Sequence, residues 1–212
     1  MKLDILRIRT ESQIEMIRAI RAGDLALAMA CHSRHPQAYL LQDALGCTPI
    51  FVACSEGHHE IADWLLSLGG NDVLASDKND YNALHAAASH GHLKTTHILL
   101  REGFASPDQI DRVGYQGFTP FFVACIFGYL EVAKVLLDAG ANINKTDRQG
   151  NTALMVACKV GKFETVRFLI WQGAGIYQTN INGQNAVQIA AKNNHDEIAK
   201  YLTISDIIIV EE

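Results

Sequence analysis

Five cysteines and nine histidines carry the widest range of chemistry in this 212-residue chain. Thiolates attack electrophiles and bind soft metals, while imidazoles shuttle protons and ligate zinc. Cysteine stands in three near-identical words, VACSEG at 52–57, VACIFG at 123–128 and VACKVG at 156–161. Histidine crowds one stretch, as His85, His90, His92 and His97. Either chemistry needs partners, and the spacing supplies none: no CxxC pair occurs, and no Cys, Asp or Glu stands at ligand spacing from His90 and His97. GxSxG, HExxH, Walker A and GxGxxG motifs are absent, and GKFET at 161–165 lacks the hydroxyl that a phosphate loop places after its lysine. Glu60, Asp63, Glu131 and Glu164 fall on helix faces where a solvated charge is the ordinary state. The expectation is a non-enzyme with no metal and no cofactor.

The cysteine words belong instead to a period. Their closing glycines extend to a series, Gly23, Gly57, Gly91, Gly128 and Gly161, with Asn194 in the next slot, at intervals of 34, 34, 37, 33 and 33 residues. Such a period marks a repeat array. Before Gly128, Thr119-Pro120 offers a capping hydroxyl and a first-turn proline, so a helix starts there. After it, Leu130, Val132, Ala133, Val135, Leu136 and Leu137 recur at helical spacing and end on Gly140, a C-cap residue. Each unit is therefore two short helices with glycine at the turn. Segments such as ANINKTDRQGN, rich in Asn, Asp and Gly, join successive units as projecting loops.

Composition agrees with one continuous array. Hydrophobic residues make up 49% and mean hydropathy is +0.05, enough for a core without disulfides or metal. A net charge of −5 with no Lys/Arg block argues against nucleic acid or an anionic membrane as partner. The amino terminus, MKLDILRIRTE, interleaves charge with apolar residues and so does not read as a secretory leader. With an odd number of cysteines, the expected setting is reducing, cytoplasmic and monomeric.

GCTPIFVACSEGHHEIADWLLSLGG (46–70) and GFTPFFVACIFGYLEVAKVLLDAGANIN (117–144) resemble ankyrin repeats. YNALHAAASHGHLKTTHILLREG (81–103) and GNTALMVACKVGKFETVRFLIWQGA (150–174) follow the same pattern with alanine in place of proline, and GQNAVQIAAKNNHDEIAKYL (183–202) is a weaker last copy. The resemblance implies an all-α fold, a solenoid of stacked antiparallel helix pairs with projecting turn loops. Its units are a capping helix pair over 1–45, repeats over 46–79, 80–116, 117–149, 150–182 and 183–202, and a tail over 203–212. Ile207, Ile208 and Ile209 in that tail read as a cap over the last repeat, or as a short partner-binding strand.

Register then assigns the side chains. Three residues before the turn glycine stand Ile20, Cys54, Ala88, Cys125, Cys158 and Ala191, a slot for a small apolar group between stacked helices. Cys47 falls in a turn region open to exposure and is the one candidate reactive thiol, which keeps a thiol-dependent enzyme or regulator as the rival reading. In the family's pattern His85 takes the histidine slot that ties down the turn, and His58 and His92 follow the turn glycine, where histidine is common.

The resemblance further implies a protein partner, bound through the loop tips and the first helices that line a concave face. Carried over by position, the central slots are Tyr81, His90, Tyr115, Gln116, Phe118, Ile126, Phe127, Arg148, Asn151 and Lys159. Ile126 and Phe127 form the one pair before a turn glycine that lacks a polar member. With Tyr81, Tyr115 and Phe118 they would make an aromatic hot spot; alternatively, the loop 104–116, four residues longer than its siblings, covers Phe127. The expected function is a non-catalytic adaptor, scaffold or inhibitor, with a host-directed effector of an intracellular bacterium as the alternative.

Overall fold

Thr48, Asn82, Thr119, Thr152 and Asn185 each begin a short helix by accepting, on a side-chain oxygen, the backbone N–H three residues on. That bond satisfies one of the donors a helix start leaves orphaned. Three of these helices close on a glycine in the left-handed region, Gly57, Gly128 and Gly161. The chain then turns at once into a second, antiparallel helix.

The structure is a computed structural model that describes residues 2–69, 75–101, 113–114 and 116–209. Among them, twelve α-helices form six pairs. The first helices are α1 (Lys2–Arg21), α3 (Pro49–Glu56), α5 (Ala83–Ser89), α7 (Pro120–Phe127), α9 (Ala153–Val160) and α11 (Ala186–Lys192). Their partners are α2 (Leu25–Arg34), α4 (His59–Ser67), α6 (Leu93–Leu100), α8 (Leu130–Asp138), α10 (Phe163–Trp171) and α12 (Asp196–Ile209). A single 3-10 turn, Ala38–Leu40, follows α2.

First helices stack in order from α1 to α11, and second helices stack behind them from α4 to α8 and from α10 to α12. Each pair thus packs on its neighbours, the arrangement of a one-dimensional solenoid. The cysteine slot lies at the centre of the first layer: Ile20, Cys54, Ala88, Cys125 and Cys158 are buried. Burial holds the Cys54 and Cys125 thiols far above the usual range and pushes Cys158 up to about 12. Ala191, in the same slot of α11, is exposed, because no further described helix stacks on it. In the tail, α12 runs on as helix to Ile209, so residues 203–209 are not a strand. No described helix is long and apolar enough to cross a membrane.

Candidate binding face

Between pairs the chain forms narrow fingers, and one side chain shapes each of them. Asp43, Asp77, Asp147 and Asn180 accept, on Oδ1, the N–H groups two and four residues ahead, at 2.8–3.1 Å. Asx side chains mimic a backbone turn in this way. A backbone bond closes each base, from Asp43 N to Cys47 O, Asp77 N to Tyr81 O, Asp147 N to Asn151 O and Asn180 N to Gln184 O. Gly114 N to Phe118 O makes the equivalent bond in the third finger, where glycine replaces the Asx residue. The ring of Tyr81 takes the space that a Cβ on Gly114 would enter.

Fingers are also tied tip to tip. Lys78 N donates to Leu45 O, Arg148 N to Gln116 O and Ile181 N to Gln149 O, at 3.0–3.1 Å. His85, buried among the alanines of α5, adds a deeper tie: its Nε2–H donates to the Phe118 carbonyl at 2.9 Å. At the opposite end of the first helices, the residue after the turn glycine, or after Asn194 in its slot, lies over the glycine of the preceding pair. His58 sits over Gly23, His92 over Gly57, Tyr129 over Gly91 and His195 over Gly161. His92 Nε2 also lies 2.9 Å from the Ser55 carbonyl, at an end of helix α3 that needs a donor. His85, the histidine read as tying down the turn, bonds to Asn82 in its own turn as well as to the next repeat, and His58 and His92 reach carbonyls of the preceding repeat.

Five of the ten candidate site residues, Gln116, Phe118, Arg148, Asn151 and Lys159, line one groove of about 460 Å³ between the third and fourth fingers and α9. Asp147, Gln149 and Val156 complete it. Asp147 and Val156 lie outside the slots carried over by position; the D-x-x-G spacing of the finger and the apolar stripe of α9 are the signals for them. The expected aromatic cluster divides. Phe118 stacks on Phe122 at 4.8 Å, at the start of α7, whereas Phe127 ends that helix, seven residues beyond Pro120 and roughly 10 Å along the axis at 1.5 Å per residue. Phe127 is 55% exposed and tilts toward Tyr129 at 6.4 Å, so it is not the covered residue of the alternative reading. Tyr81 is half-buried and stacked on His85 at 4.9 Å; burial, with the Asp77 carboxylate adding, raises its hydroxyl pKa. Ile126 is half-buried against the core, and His90 is exposed beside Ser89 and stacked on His92. Tyr115 and most of the loop 104–116 lie outside the described residues.

The expected exposure of Cys47 is overturned. Its thiol is buried, and burial, with the Asp43 and Asp77 carboxylates adding, pushes its pKa up to about 11. The residue after the finger turn faces the next finger instead of solvent, so the thiol-dependent reading loses its nucleophile.

Family models for ankyrin repeats match residues 16–66, 68–147 and 144–210. The chain belongs to the ankyrin repeat family. The first ankyrin match takes in only the last residues of α1, from 16 to 21, then all of α2 and α3 and all but the end of α4. Among similar proteins, a tyrosine-protein kinase, HTK16, of Hydra vulgaris is 30% identical over 145 residues, covering 62% of this chain and 19% of its own length. The E3 ubiquitin-protein ligase XBAT32 of Arabidopsis thaliana is 30% identical over 187 residues, covering 61% and 37%. A putative ankyrin repeat protein of Rickettsia felis is 31% identical over 106 residues, covering 48% and 44%. In each case the ankyrin array aligns with less than half of the relative. Ankyrin repeats are protein–protein interaction modules, and the part shared with the kinase and the ligase lies within this array.

Proposed function

We propose that this ankyrin array is a cytoplasmic, monomeric, non-catalytic adaptor, scaffold or inhibitor that binds a protein through its fingertips and the exposed ends of its first helices. The groove lined by Gln116, Phe118, Arg148, Asn151 and Lys159 carries the reading, because it gathers half of the candidate residues into one concavity. Its floor is half-buried and apolar, at Phe118 and Val156, and its rim is polar and charged, which is the anatomy of an interface centre.

The test is quantitative affinity capture from lysate with the wild-type chain, an Arg148→Ala/Lys159→Ala variant and an Arg167→Ala/Trp171→Ala variant altered on the second-helix layer. A protein retained by the wild type and the second variant but lost by the first supports the groove. Loss with the second-helix variant alone moves the interface to the back of the array.

A further inference from the structure

The chain is acidic overall, with 23 acidic against 18 basic residues, yet its candidate binding slots are not. At the fingertips and in the two positions before each turn, Arg21, Lys78, Arg148, Lys159 and Lys192 are exposed, against Glu56 and, in a finger turn, Asp80. The finger carboxylates Asp43, Asp77 and Asp147 each accept two backbone N–H groups and keep their charge, and Asp43 lies 3.9 Å from Arg21, so the amino-terminal positions carry no cationic excess. A cationic excess remains toward the carboxyl end, where Arg148, Lys159 and Lys192 outnumber Asp147 among the described residues of these positions. Lys162 adds to it: the ammonium takes the place of the ring found in sibling turns and lies by Gly128, next to Phe127. Acidic residues of the same units, Glu131, Asp138, Glu164, Asp196 and Glu197, stand on the second helices, in the other layer.

Between these cations stand three exposed apolar side chains, Phe127 at 55%, Val160 at 57% and Ile181 at 73%. Phe127 and Val160 occupy one slot in consecutive helices, and Ile181 shares its finger slot with Arg148. Resting on the proposal of a protein-binding concave face, we infer that its occupant is an extended acidic segment carrying bulky apolar residues. The apolar groups seat against Phe127, Val160 and Ile181, and the carboxylates meet Lys159, Lys192 and Lys162. Stacked helices lie 8–10 Å apart and an extended chain rises about 3.3 Å per residue, so roughly three ligand residues cross each repeat. A nucleic acid would be the other anionic partner, but Phe127 and Tyr129 make a single exposed ring pair where a base-stacking row needs successive platforms, and the net charge of −5 repels a long polyanion more than a short acidic segment.

The experiment selects a displayed library of random peptides, about twelve residues long, on the wild-type chain at physiological salt. The consensus is then measured by fluorescence anisotropy. Acidic residues at roughly every third position, interleaved with large apolar ones, are expected. Lys159→Glu/Lys192→Glu weakens that peptide by about tenfold or more, and the same peptide with Lys for each acid does not bind. Because both lysines end helices, Lys159→Gln/Lys192→Gln is run beside it and weakens binding about threefold. A neutral or basic consensus that still needs Phe127 or Lys159 overturns the inference and leaves the binding face standing. Peptides indifferent to every slot variant overturn both. Tighter binding of fluorescein-labelled oligo(dT) than of the peptide overturns the inference in favour of nucleic acid.

Discussion

The ring of Tyr81 fills the space beside the Cα of Gly114 that an aspartate or asparagine side chain holds in the other fingers. One finger thus lost its turn-forming side chain, and its neighbour supplies bulk in return. At the corresponding junction of the fourth and fifth fingers, Asn180 Nδ2 donates to Asn151 Oδ1 at 2.9 Å. Gly114→Asp restores the turn bonds but collides with the ring, and overpacking of this kind costs about 1–3 kcal/mol. Urea denaturation of Gly114→Asp, Tyr81→Asn and the double variant tests the coupling: the double variant is more stable than the sum of the singles predicts.

His85→Ala removes the donor to the Phe118 carbonyl and the acceptor for the Asn82 N–H, both in a buried setting. Leaving such groups unpaired costs about 1–3 kcal/mol. Thermal denaturation measures the loss, and hydrogen exchange shows it concentrated at 81–90 and 116–122.

The buried thiols impose a pH dependence with a definite sign. Cys158 titrates near 9.0 when unfolded and near 12 when folded, because burial penalises the thiolate. Below pH 9 both states hold the proton and the thiol contributes no slope. Above pH 9 the unfolded chain loses it first, so stability falls as pH rises toward 12, by up to about 1.4 kcal/mol per unit for this thiol. Cys158→Ala flattens the curve between pH 9 and pH 10.5 relative to wild type, read by urea denaturation at each pH.

Phe127→Ala removes a ring that is 55% exposed. Folding stability changes by less than about 1 kcal/mol, since surface substitutions act weakly. Binding of the captured partner weakens by about 2 kcal/mol, the effect of a hot-spot residue. Calorimetry of folding and titration of the partner measure the two separately.

The helix pairs, their caps and the turn glycines are legible in the sequence because each rests on local chemistry repeated in register, as Thr119-Pro120 and Gly128 show. The cysteine slot is legible for the same reason. Cys47 is not, because its burial comes from the next finger, roughly thirty residues away, and a periodic alignment locates a slot without saying what lies over it. The supposed cluster of Phe118 with Phe127 fails on geometry: both belong to one repeat, but helix α7 separates them in space. Asp147 escaped the slot list because its carboxylate shapes the turn while its position also lines the groove. Trp171, 84% exposed at the end of α10, carries no sequence signal apart from its type.

The tip-to-tip bonds have a mechanical consequence. Lys78 to Leu45, Arg148 to Gln116 and Ile181 to Gln149 are single stitches from one repeat to the next, along the length of the array. A chain pulled from its ends loads them one after another, so it should yield as a sawtooth of steps instead of one rupture. Each step releases about 33 residues, or roughly 115 Å of slack at 3.5 Å per residue, and a partner lying across two fingers would double the length of the step it guards.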